Sequence, residues 1–218
     1  MVHLHANNQL LQYTKTINSQ IPQSYAGNAY RVFTIELMRG EVLRLCSLWD
    51  KPGEHRNSLP TIARLVDCQH VRDMIQKRAV DNRLRGRSIS ADHDDPELIE
   101  WQRQMSDASA REDASERLAA LGDGIRQVEV GLKSDLLAAL VDFRDTTLAH
   151  SLEPNARKAP DLKARYGDET KLLSLTQAAL DALNLGIRGS SFMWEDTYAY
   201  ATRNARALWR GVTFKVLE

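Results

Sequence analysis

The stretch "LLAALVDFRDTTLAHSLEP", residues 136–154, carries Arg144, Asp145 and His150 near the end of an apolar run. An imidazole titrates near neutrality, so it can take a proton from an attacking hydroxyl or return one to a leaving oxygen. A guanidinium stays charged and can fork two hydrogen bonds onto a phosphoryl group whose charge grows in the transition state. Together they form a minimal set for metal-free phosphodiester chemistry. In RNA the neighbouring 2′-OH is the nucleophile and the product is a 2′,3′-cyclic phosphate. A second reading stays open: cations suit the negative end of a helix dipole, Arg144 can pair with Asp142 or Asp145, and His150 can cap the last carbonyls.

Spacing alone does not choose between these readings. An Arg followed six positions later by a His occurs three times, at Arg64–His70, Arg87–His93 and Arg144–His150, and 21 arginines with six histidines make such hits ordinary. Six steps along a straight helix leave two side chains about 120° apart around the axis and about 9 Å apart along it. They converge only where the helix ends before His150, or where a second subunit supplies the complementary half. Pro154 predicts a helix end just past Ala149. At His70 the amphipathic helix is expected to continue, and at His93 the pair spans a loop.

The elements that must hold this stretch read as helices almost throughout. Val32, Ile35, Met38, Val42, Leu45 and Trp49 recur at spacings of three and four and predict one core-facing helix from Ser24 to Trp49. A shorter start is expected around Leu10 to Ile17. "DKPGEHRNS" breaks the chain, and Ser58 is an N-cap candidate for a helix running from Leu59 through Ile75. Asp95-Pro96-Glu97 predicts another helix start, followed by a charge-rich segment to 121 that is exposed or partly disordered around "SDASARED". Gly122 and Gly124 mark a weak break before the helix leading through Ile125 to Phe143. "SLEPNARKAP" is a loop, Gly167-Asp168 opens the next helix, Gly186 or Gly189 ends it, and Ser190 or Ser191 caps the last. No strand pattern or fixed-period repeat is present, so the fold class is all-α, five to seven helices, in one domain over 1–218 with a variable charged insertion near 80–120.

Composition narrows the function. Lys+Arg and Asp+Glu are equal at 29 each, so no global field draws the chain to a polyanion or a membrane, and anion binding must come from local clustering. The basic run Arg72, Lys77, Arg78, Arg83, Arg85 and Arg87 is the candidate RNA contact. Arg203, Arg206 and Arg210 add cations at helical spacing near the C-terminus, and Trp194, Tyr198 and Tyr200 read as core or interface residues. Cys46 and Cys68 lie in apolar helical contexts and are expected as buried free thiols. No leader peptide or apolar run of membrane-spanning length is seen, so a cytoplasmic location is expected. His3 and His5, or His93 among Asp92, Asp94 and Asp95, lack the partners a metal site needs. Without a GxSxG elbow, a GxGxxG or a P-loop, neither a serine triad nor a nucleotide cofactor is expected.

Context separates the third Arg–His pair from the other two. In "FRDTTLAHS" a polar residue follows the Arg, a small residue precedes the His, and Ser follows it. With "ELMRGEVLRLCSLWDKP", "SLPTIARLV" and "YGDETKLLSLTQAALDAL", this resembles the HEPN superfamily (higher eukaryotes and prokaryotes nucleotide-binding domains), in its abortive-infection AbiU-type branch. The resemblance runs from about 20 to 190 and is weakest over 80–120. It implies an antiparallel helical bundle that dimerises through its motif-bearing helices, and a metal-independent endoribonuclease acting as a toxin or phage-defence effector. In that role Arg144 is the phosphate clamp, Asp145 the orienting polar residue and His150 the acid or base. RNA, a second copy of the chain and an antitoxin protein are the implied partners, with no cofactor, metal or membrane. Some members of the superfamily only bind RNA or assemble with proteins, which is the alternative role for the same face.

Overall fold

The structure is a computed structural model that describes residues 1–13, 19–21, 25–85, 96–148 and 163–212. Among these residues every regular element is helical: α1 (Val2–Tyr13), α2 (Tyr25–Leu48), α3 (Leu59–Val66), α4 (Gln69–Arg85), α5 (Pro96–Leu132), α6 (Asp135–Phe143), a π turn (Arg144–Leu148), α7 (Asp168–Arg188) and α8 (Trp194–Gly211). The all-α class read from the sequence is the class observed. The chain divides into two compact units. One comprises Met1–Leu48, Ser134–Leu173 and Met193–Glu218; the other comprises Trp49–Lys133 and Ser174–Phe192.

The first unit holds the motif helix. Small residues let α1 and α8 approach: Val2 and Ala6 bury against Ala201 and Ala205, with Leu10, Trp194, Tyr198 and Trp209 packed around them. The Trp209 indole N–H donates to Asn7 Oδ1 at 2.7 Å, satisfying a polar atom at the edge of that cluster. α1 starts well before the Leu10 expected from periodicity. Two histidines and two asparagines hide its apolar pattern, yet His5 and Asn8 are buried. α2 runs as expected, but Val32, assigned to its core face, is 60% exposed, and burial begins only at Glu41 and Val42. α2 packs on both α6 and the π turn and so supports the motif.

In the second unit Ser58 caps α3 as predicted, its hydroxyl accepting from the Thr61 N–H at 3.3 Å, and Pro60 sits in the first turn, where no intrahelical donor is needed. The single helix expected from Leu59 to Ile75 is two, broken at Asp67 and Cys68. Asp67 terminates α3 with its N–H on Ala63 O and holds Arg72 of the next helix at 2.7 Å. His70 therefore belongs to a new helix, and the Arg64–His70 pair spans a boundary. The same break leaves Cys68 exposed, against the expectation of burial, while Cys46 is fully buried.

α5 is one uninterrupted helix of 37 residues. "SDASARED" is not disordered: Ser106, Ala110 and Ala114 form a buried stripe of small residues at spacings of four. α5 packs chiefly along α4. Gly122 and Gly124 do not break the helix either. A Cβ on Gly124 would lie 2.8 Å from the Leu183 backbone nitrogen, and one on Gly186 would lie 2.7 Å from Leu121 Cβ, so these two glycines let α5 and α7 approach closely. The break falls instead after Leu132, where Ser134 caps α6 by accepting from the Leu137 N–H at 3.2 Å. Gly189, at φ +72°, ends α7 and donates to Leu185 O. Neither Ser190 nor Ser191 caps α8: Ser190 takes the Asn184 amide instead, and Met193 precedes the helix without a side-chain cap.

Candidate phosphate-handling site

α6 presents Leu137 and Leu140 to the core, and its last residues lead directly into "RDTTL". There the ladder widens to a π turn. The Thr146 hydroxyl donates to Asp142 O at 2.6 Å, and that carbonyl is the one an α-helix would give to the Thr146 N–H. Such widened turns concentrate at functional positions. Arg144 stands where the α-helical ladder ends, its own N–H shared between Leu140 O and Val141 O.

The Arg144 side chain is mostly covered, 22% exposed, and its Nε donates to Asp145 Oδ1 at 2.7 Å. Asp145 remains open to solvent. The structure therefore brings two of the three motif residues together in one chain. His150, the third, lies outside the described residues, as do Ser151 and Arg87.

Beside α6, in the same unit, a cavity of about 830 Å³ is lined by Asp135, Ala139, Asp142, Lys163, Arg165 and Lys171, among others. Arg165 also lines a smaller, mainly apolar cavity of about 240 Å³ with Met38, Val42, Leu140 and Phe143. Arg144 lines neither. The start of α7 faces the larger cavity but is already occupied by its own acids. Asp168 accepts from the Arg165 N–H at 2.8 Å and from Lys171 Nζ at 2.9 Å, and Glu169 accepts from the Gly167 N–H at 3.0 Å. Burial pushes the Asp168 carboxyl up. Hydrogen bonds from Lys171 and the Arg165 N–H, with the charges of both cations, outweigh it and hold the carboxyl below its usual value. Lys163, Arg165 and Lys171 were not singled out from the sequence because they flank a proline-rich loop and follow no helical spacing.

A second group also escaped the sequence reading. His5 Nδ1 lies 2.6 Å from Glu41 Oε1, and Asn8 Nδ2 donates to Glu41 Oε2 at 2.5 Å and to Leu37 O at 3.2 Å. Glu41 is only 1% exposed. A buried carboxylate must be paired, and here α1 brings both partners to α2. The available signal was Glu41 itself, an acid three residues from Met38 and four from Leu45 on the apolar stripe of α2.

The predicted basic run lies in the other unit. Arg72 is committed to Asp67, Lys77 and Arg78 are exposed, and Arg83 and Arg85 fall in the last turn of α4. At about 100° per residue, Arg72, Lys77 and Arg78 point in three directions around the axis, so the run is not a single stripe. Among the described residues no group of three His, Cys, Asp or Glu side chains is placed to hold a metal, and no helix is long and apolar enough to cross a membrane.

A family model described as AbiU2, of the HEPN type, matches residues 1–208. No curated protein and no solved structure matches the chain.

Proposed function

The chain belongs to the HEPN AbiU2 family, and on that premise we propose that it is an abortive-infection effector that cleaves RNA at the Arg144–His150 motif. The reaction joins the ribose 2′ oxygen to phosphorus and breaks the bond to the 5′ oxygen of the next nucleotide. It leaves a 2′,3′-cyclic phosphate and a 5′-hydroxyl. His150 takes the 2′-OH proton or supplies one to the leaving oxygen; Arg144 forks onto the phosphoryl oxygens; Asp145 sets the direction of the guanidinium. Because the nucleophile belongs to the substrate, no metal-bound water is required. The observation that supports this reading is the π turn at Arg144–Leu148 within the matched family region, a local irregularity with Arg144 at its first position. A homodimer joined through the motif helices, with an antitoxin protein as regulator, completes the proposal.

One observation favours a second reading. Arg144 already has a carboxylate partner inside its own chain, which suits a module that binds RNA or a protein without cleaving. Cleavage of RNA in EDTA by the unsubstituted chain and by His150→Ala separates the two. The nuclease reading expects cyclic-phosphate ends and at least a ~100-fold loss in the variant. Equal cleavage by both proteins, or none by either across several RNAs, removes the motif from catalysis.

A further inference from the structure

α8 carries its arginines in a way the other helices do not. Arg203, Arg206 and Arg210 are spaced three and four apart and fall within about 60° of one another around the axis. Ala201 and Ala205, buried against α1, occupy the opposite side, so all three guanidinium groups face solvent. They line a groove of about 640 Å³ together with Ala199 and Ala207, and among the described residues no carboxylate lines it. The acids of α8, Glu195 and Asp196, are confined to its first turn. Among the described residues none of the three arginines is ion-paired.

An aromatic face adjoins the stripe. The Arg203 guanidinium stands 5.2 Å from the Tyr200 ring centroid, and His3 meets the same ring edge-on at 5.7 Å. Tyr200 is nonetheless 53% exposed. A single-sign stripe beside an open aromatic ring is the pairing that grips a single-stranded nucleic acid: charge tracks the backbone and the ring takes a base. The stripe extends about 10 Å along the axis, enough for each guanidinium to meet a phosphate of one short stretch of backbone.

We propose that this face of α8 is a docking track for single-stranded RNA. The proposal rests on RNA being the ligand of the protein, as in the function proposed above, but not on cleavage. It assigns substrate grip to α8 in place of the scattered cations of α4.

The test is the salt dependence of oligouridine binding, read by fluorescence anisotropy from about 50 to 200 mM NaCl, with His150→Ala in every chain to prevent cleavage. Against that background, Arg203→Gln/Arg206→Gln/Arg210→Gln is expected to weaken binding more than tenfold at low salt. The slope of log K against log salt should fall by about 2, at about 0.7 per lost phosphate contact. The matching triple Lys variant keeps the slope, which excludes misfolding as the cause. An unchanged slope in the Gln variant overturns the track. If the His150-intact chain still cleaves RNA in that case, the nuclease reading stands without it. A slope that falls as expected in a chain that never cleaves keeps the track and removes the nuclease. Arginine-dependent capture of phosphatidylserine vesicles that oligouridine does not displace overturns it in favour of a lipid surface.

Discussion

Arg144 is the residue on which structure and chemistry compete. Its bond to Asp145 is a pair between sequence neighbours, and such pairs near the surface stabilise by about 0–1 kcal/mol. Arg144→Lys should therefore leave the melting temperature within a few degrees while abolishing the two-pronged contact a phosphoryl group needs. Cleavage lowered about 100-fold at unchanged Tm identifies a clamp; a Tm drop with unchanged cleavage identifies a structural pair. Glu41 is the opposite case. Glu41→Ala takes the carboxylate partner from His5 and from Asn8, which keeps its bond to Leu37 O, and should cost about 1–3 kcal/mol for each unsatisfied buried group, visible as a loss of urea stability. Asp168 sets a pH dependence. Its folded carboxyl is held below the usual 3.8, so its contribution is present above that pH and lost as pH falls through the lower folded value. Asp168→Asn should flatten the acid limb of the stability profile, measured by thermal melts below about pH 5.

At the level of elements, caps and close approaches carry the testable weight. Ser58→Ala should cost about 1 kcal/mol through the lost bond to the Thr61 N–H. Gly186→Ala should cost about 1–3 kcal/mol, because the added methyl meets Leu121 on a facing helix and neither backbone can yield cheaply. Equilibrium denaturation checks both. These elements also show what a reader of the sequence can and cannot recover. Ser58 was legible because capping is local chemistry, written in one residue and its next three. Gly124 was misread as a break because a glycine that permits close packing has the same letter as one that ends a helix, and only Leu183 distinguishes them. "SDASARED" looked too polar to bury, since periodicity counts large apolar residues whereas α5 buries Ser and Ala. Arg144, Asp145 and His150 could be picked out by residue type, but the π turn could not, since helix type is not written in composition; at this turn the Thr146 hydroxyl donates to Asp142 O. The pairing of Glu41 with α1 was invisible because it joins residues 36 positions apart.

For the molecule as a whole, a formal net charge of zero conceals strong local sorting. Binding governed by α8 would be steeply salt-dependent in a protein whose isoelectric point suggests indifference to polyanions. The proposed dimer adds a prediction of its own. If each site draws Arg144 from one subunit and His150 from the other, mixing Arg144→Ala with His150→Ala chains should restore part of the cleavage that each has lost alone. Light scattering on the unsubstituted chain should then give about twice its mass of 24.7 kDa.

The two cysteines, one at the open joint between α3 and α4 and one sealed inside α2, make the protein its own chemical clock. A thiol reagent such as Ellman's should titrate Cys68 at once and reach Cys46 only when α2 opens. The lag between the two reactions measures the free energy of that opening without any label being introduced. Because α2 supports the motif helix, the same lag, followed with and without oligouridine, reports whether ligand binding tightens the scaffold beneath the motif.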